Sequence, residues 1–280
     1  MGTRGWRLGA VAGVAVLAAI CASGSEVPEQ PRTVSEDGPL PADRYQATPQ
    51  DAQQAERAAA LLVRQCMAGR GHPDFPLDPR YPTDPLVVVS VATSYGAVDL
   101  DAARRWGYGW DPAGKSAVAE PQGRRMTAVE FADLPACNDR ANRRLMRGID
   151  AQNWLYASTR AVEVDKAVAR DPRLRAAWDA WSRCVADQGF TRYPDPAAAY
   201  TDHAWQRGSD GNTQHSQRER DTAVADVLCK IRHHTVDLWR SVKAEQQTAD
   251  IARHRAGYTT ALRQLRTYRA NIADVLRTSG

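Results

Sequence analysis

Cys229, His233 and Asp237 follow one another at intervals of four, with His234 alongside. On an uninterrupted helix this spacing stacks the three side chains on one face. A thiol beside an imidazole and a carboxylate is the set from which a cysteine nucleophile, or part of a metal site, is built. Successive turns of a single helix give a nucleophile and its base poor mutual geometry, however, and no second cluster supplies further ligands. Gly-x-Ser-x-Gly, His-Glu-x-x-His, a phosphate-binding glycine loop and paired-Cys zinc spacing are all missing from the sequence. Asp210-Gly211-Asn212 near Asp202 and His203 reads as a turn, because a calcium loop needs more oxygens at alternating positions and a closing Glu. The residues therefore predict a noncatalytic protein without metal or cofactor, with a thiol or metal enzyme at Cys229, His233 and Asp237 as the alternative.

The cysteines have a simpler use. Arg57 to Gly71, with Cys66 near its end, aligns without a gap on Arg175 to Gly189, with Cys184 at the same place, and Phe75-Pro76 then matches Tyr193-Pro194. A weaker match sets Thr127-Ala-Val, upstream of Cys137, against Thr222-Ala-Val, upstream of Cys229. Each half thus carries an early and a late cysteine, and a copied unit with its own bridge favours Cys66–Cys137 and Cys184–Cys229 among three possible connectivities. Arcs this long give each bridge an entropic value of about 4 kcal/mol at most. Such bridges belong in an oxidising compartment.

The amino terminus agrees with that location. Arg4 and Arg7 precede an apolar run from Leu8 to Ala22, too short to span a bilayer as a finished helix, so residues 1–22 read as an export signal. Ala18-Ala19-Ile20-Cys21 departs from the lipidation motif at Ile20, which leaves a lipid anchor at Cys21 and plain secretion both open. Residues 23–47, with Pro28, Pro31, Pro39 and Pro41, read as a disordered tether.

Thr48-Pro49-Gln50-Asp51 opens a helix that stops near Gly69 to Gly71. The valines of Leu86 to Val91 form one apolar run with no partner, read as extended chain packed on helices. Asp99 to Gly107 is a capped two-turn helix, and helical signals resume from Thr127 to Met146, interrupted by Pro135. Ala151 to Ala169 is a helix with Trp154, Leu155, Ala161, Val162 and Val168 on its apolar side. Asp171-Pro172 caps the next, where Leu174, Trp178 and Trp181 form a core stripe. Ser216 to Thr278 contains no proline and a single glycine, Gly257, so one long helix or a near-continuous pair fills it, with Gly257 as the candidate bend and the distal part projecting or folding back. The fold class is mainly α: two duplicated disulfide-linked helical units, residues 48–150 and 151–280, the second ending in the long C-terminal helix.

Surface chemistry offers two candidate interaction sets. Trp106, Trp110 and Trp205 stand beside glycines in loop context and are the candidates for an exposed interaction patch, with packing as the preferred reading even there. Arg263, Arg266 and Arg269 interleave with Tyr258 and Tyr268 near the carboxyl end, where Ser216 to Gly280 holds 12 Lys or Arg against 7 Asp or Glu. The formal charge of +4 falls to +2 without Arg4 and Arg7, so no strong overall field draws a polyanion and nucleic acid is not an expected partner.

Cys-Met/Val-Ala-x-x-Gly followed by an aromatic-Pro pair, Thr222 to Lys230, and Tyr95-Gly96 with Ala102 and Trp106-Gly107-Tyr108 together resemble a family of uncharacterised exported actinobacterial proteins, lipoproteins or secreted, with duplicated Cys-containing helical units. The resemblance covers most of the chain after the leader and is most specific over Trp178 to Pro194 and Thr222 to Lys230. It implies architecture and an extracytoplasmic location, and brings no catalytic residues. The function expected is an exported, noncatalytic cell-envelope binding or accessory protein beside a membrane transporter, an envelope protein or the cell wall. Wall-polymer or anionic-lipid binding by the basic terminal helix is the second reading, with the membrane surface as a partner if Cys21 is lipidated.

Overall fold

Local signals start and stop most helices of this chain. Thr48 accepts from the Asp51 amide while Asp51 accepts from Thr48, a reciprocal cap on α1 (Pro49–Gly69). Asp99 caps α2 (Leu100–Trp106), and Thr127 with Glu130 forms a second reciprocal cap on α3 (Ala128–Leu145). Asp150 caps α4 (Ala151–Ala169), Asp171 caps α5 (Pro172–Asp187), Asp195 caps the short α6 (Pro196–Tyr200) and Ser216 caps α7 (Gln217–Arg232). Two more helices complete the order, α8 (Thr235–Arg253) and α9 (Arg255–Ser279). The computed structural model describes residues 38–75, 95–109, 125–205 and 216–279, and among them there are nine α-helices, two short 3-10 turns and no β-strand. The leader, Cys21, Leu86 to Val91, Trp110 and Asp210-Gly211-Asn212 lie outside the described residues.

Both expected disulfides are present. Cys66 of α1 is bonded to Cys137 of α3 across 71 residues, and Cys184 of α5 to Cys229 of α7 across 45. The aligned segments end in the same way. Gly71 (φ 92°) and Gly189 (φ 88°) adopt the left-handed backbone that closes a helix at low steric cost. In one turn the amides of His72 and Gly71 return to the Met67 and Ala68 carbonyls, and in the other those of Phe190 and Gly189 return to Val185 and Ala186. Phe75 and Tyr193 are then both buried. The weaker match behaves differently: Thr127 is a cap, whereas Thr222 lies inside α7 and donates to the Arg218 carbonyl.

The division at residue 150 separates the two bridges but not the cores around them. α9 packs on α1, α3 and α4, so Ile272 and Val275 share a cluster with Ala55, Ala58 and Leu145 of the first half. In the opposite direction α2 packs on α7, and Leu100, Ala103 and Tyr108 share a cluster with Trp181, Val185 and the second bridge. α4 and α8 lie against each other, with Tyr95, Val98, Leu174 and Trp239 in a common cluster. Each bridged pair is thus completed by an element from the other half.

Several expectations require correction. Residues 38–47 are an ordered part of the body: Tyr45 is buried against the Tyr258 ring, and the Ala42 amide donates to Gln247 Oε1. An aromatic side chain with a buried partner holds even a proline-rich stretch. The span from Ser216 forms three helices, broken at His234 (φ 49°) and His254. Gly257 is not the bend: it lies inside α9 beneath the Tyr156 ring, with no room for a β-carbon. α3 runs unbroken through Pro135, which is exposed, so water can serve the carbonyl that loses its amide partner. On α4 the apolar side is narrower than expected, since Leu155 and Val162 are 53% and 54% exposed.

Three carboxylates tie the terminal helices down. Arg269 grips Asp51 with both Nε and Nη2, at 2.8 and 2.7 Å, and Arg144 pairs with Asp274. Arg160 and Tyr258 converge on the buried Asp250, with Arg160 Nη2 at 2.5 Å and the Tyr258 hydroxyl at 2.9 Å. Burial alone would raise the Asp51 and Asp250 carboxyls, but the guanidiniums of Arg269 and Arg160 and the further donors hold both below the ordinary carboxylate value. A depressed folded value means that the stabilisation is present above the unfolded value and lost as pH falls through the folded one. Urea midpoints should therefore decline below about pH 4. Asp250→Asn should lower the neutral-pH midpoint and flatten this acid limb; an unchanged limb would refute the assignment.

Candidate functional site

The Cys, His and Asp row is not assembled. α7 ends at Arg232, where the His233 amide closes on the Cys229 carbonyl, and left-handed His234 turns the chain into α8. Asp237 therefore belongs to another helix, 3.7 Å from His234 Nδ1 on the exposed surface. The Cys229 sulfur is bonded to Cys184 and accepts from Gln188 Nε2 at 2.9 Å. Partial burial, then the charges of Arg232 and Arg183, push the His233 imidazole below its ordinary value. Nothing in this arrangement directs a base at a thiolate.

The polar chemistry of α7 lies along a buried row beside Cys229. Glu219, Thr222, Ala223, Asp226, Val227 and Lys230 recur at steps of three and four, and all six are buried. Lys230 Nζ donates to Asp226 Oδ2 at 2.9 Å, to the Tyr95 carbonyl at 3.0 Å and to the Ala97 carbonyl at 2.8 Å. Three protons meet three acceptors. Trp181 Nε1 donates to Asp226 Oδ1 at 2.9 Å, and the Tyr95 ring lies 5.4 Å from the ammonium. Three turns away, Glu219 Oε1 accepts from the Tyr108 amide at 3.1 Å. Gly107 (φ 59°) permits this approach, since a β-carbon there would come 2.9 Å from Glu219 Cγ.

α7 consequently grips both ends of the Tyr95–Gly109 segment by its main chain, and α2 runs antiparallel to it between the grips. Burial pushes the Asp226 carboxyl up and the Lys230 ammonium down, each toward its neutral form. Their mutual attraction opposes this, with the Trp181 and Tyr108 side chains also favouring ionised Asp226. A saturated ammonium of this kind is a structural clamp on a peptide segment, with neither a lone pair nor a free proton to present to a substrate.

The remaining candidates divide. Trp205 is buried, its indole donating to the Ala199 carbonyl at 2.8 Å and its ring lying 5.5 Å from Tyr108, so it is core and not part of an exposed patch. Trp106 is half-buried. Arg269 is committed to Asp51 and leaves the interaction set, whereas Arg263 and Arg266 are exposed. Nothing local announces the clamp, since Asp226 and Lys230 lie in a span rich in charged residues. Their i, i+4 order and the Tyr95 to Tyr108 and Thr222 to Lys230 patterns were visible, but nothing local says that these segments meet.

Lys230→Met should lower stability by about 3–5 kcal/mol, because it leaves the Asp226 carboxylate buried without its cation. Adding Asp226→Asn should recover part of that loss. Urea unfolding of the two variants measures both changes; additive losses would argue against a coupled pair.

Comparison of the chain with protein-family models, with curated proteins and with solved structures finds no match.

Proposed function

We propose that this protein is an exported, noncatalytic component of the cell envelope that serves as a binding or accessory scaffold, beside a membrane transporter or the cell wall. The observation that carries the reading is the pair of bridges, which join sequence-distant helices and suggest an oxidising, extracytoplasmic environment. The leader-like residues 1–22 point the same way. Cys21 is the proposed attachment point if the chain is lipid-anchored, and otherwise the chain is secreted.

A scaffold role is favoured by how its strongest polar groups are used. Lys230, Asp226 and Glu219 hold a segment of the chain itself, and Cys229 is in a bridge. The matching turns after Cys66 and Cys184 support descent of the two bridged units from one ancestral unit. The second reading, ligand binding by the basic terminal helix, is favoured by the exposure of Arg263 and Arg266.

Alkylation of the exported protein should find no reactive thiol among Cys66, Cys137, Cys184 and Cys229 before reduction and all four after it. A thiol at Cys229 that reacts in the native protein would overturn the noncatalytic reading. A reporter enzyme active only outside the cytoplasm, fused after Gly280, should be active in producing cells; a silent reporter would overturn export. Cys21→Ser should move the protein from membrane to soluble fraction only if Cys21 carries the anchor.

A further inference from the structure

α9 has two faces of opposite character. Tyr258, Ala261, Leu265, Ile272 and Val275 are buried against the body. Opposite them, Arg255, Thr259, Arg263, Arg266, Ala270 and Ala273 are aligned at helical spacing, and all six are exposed. No carboxylate stands on that face between Arg255 and Ala273. Ion pairing distinguishes its arginines from their neighbours. Arg269 is held by Asp51, Arg277 by Asp274 and Arg253 by Asp250, whereas Arg255, Arg263 and Arg266 have no carboxylate partner among the described residues. Arg263 donates to the Thr260 hydroxyl of its own helix.

We propose that this face of α9 binds a linear phosphate-bearing polyanion along the helix axis. The inference rests on the envelope reading above and names its ligand class. Arg255 and Arg266 stand 11 positions apart, about 17 Å along a helix, and nearly eclipse each other in projection. Arg263 lies one turn from Arg266. The guanidinium fork donates to phosphate oxygens in pairs and is less strongly hydrated than an ammonium, so each arginine can hold one unit of a flexible chain. The residues between them are small, leaving the forks accessible from the side.

A lipid surface fits less well. Helices that lie in a membrane interface bury a large apolar face in the acyl region beside their basic one. The apolar face of α9 is already occupied by the body, and the exposed face carries no large apolar side chain.

Inorganic polyphosphate is the probe, titrated into the folded, oxidised protein at several salt concentrations. With three phosphate contacts, affinity should fall about 20-fold between about 50 and 200 mM salt, as expected for a slope of about −0.7 per contact. Arg255→Gln/Arg263→Gln/Arg266→Gln should abolish most binding and flatten the salt dependence. The charge-matched control Arg170→Gln/Arg175→Gln/Arg183→Gln, exposed positions on α5 and just before it, should bind as the unsubstituted protein does. Far-ultraviolet circular dichroism and urea midpoints verify that both variants fold. Equal losses in the two triple variants, no binding by the unsubstituted protein, or equal binding of polyglutamate would each overturn the proposal. Tighter binding to phosphatidylglycerol vesicles than to polyphosphate would overturn it in favour of a lipid surface. None of these outcomes alters the reporter and thiol measurements, so the ligand class can fail while the envelope reading stands.

Discussion

An ammonium group sealed from water persists in a folded protein only when every proton it carries has an acceptor, and Lys230 meets that condition by drawing on two distant parts of the chain. Asp226 supplies one acceptor from the preceding turn of the same helix. The other two are backbone carbonyls at Tyr95 and Ala97, more than 130 positions away, and without them the charge would be buried with its donors unmet. The requirement therefore fixes where α2 must lie. It also sets the register, since Glu219 must meet the Tyr108 amide at the far end of the same contact. Apolar packing of Leu100, Ala103 and Tyr108 against Trp181 and Val227 adds burial, but hydrophobic contact alone tolerates sliding. Polar groups with directional partners do not.

The same demand explains why the two bridged halves are not separate bodies. A pair of helices joined by a disulfide still exposes an apolar face, and a third element must cover it. Here each half supplies the cover for the other: α2 for the Cys184–Cys229 pair, α9 for the Cys66–Cys137 pair. The sulfur bridges constrain chain ends that are already helical, while α4 and α8 connect the two covered pairs. Arg269 with Asp51 and Arg160 with Asp250 then secure the terminal helices by ion pairs within the body. Among the described residues the arginines of α9 consequently have two fates: Arg269 and Arg277 are fastened to carboxylates, whereas Arg255, Arg263 and Arg266 face solvent without one.

Much of this was legible in the residues. Thr48, Asp99, Thr127, Asp171 and Ser216 cap helices because a short polar side chain reaches the free amides of its own first turn, a contact decided within four residues. The bridge pairing followed from the matched cysteine segments, whose common turn is a local hydrogen-bond pattern closed by glycine. Errors arose where distant partners override local tendency. Tyr45 is ordered by Tyr258, and Trp205 is drawn inside by Tyr108 and the Ala199 carbonyl. The row from Cys229 to Asp237 assumed an unbroken helix, which His234 ends without glycine or proline to announce it.

By itself, then, the order of amino acids determined the helical class, the helix starts and the two bridges, because caps, periodicity and cysteine spacing are properties of short stretches or of matched ones. Which charges are buried and which remain outside was decided only in three dimensions. Lys230 and Arg266 have the same sign and both sit on amphipathic helices, yet one is enclosed by carbonyls from the other half and the other meets none. That difference depends on contacts between residues far apart in the chain, whose free energy no local pattern contains.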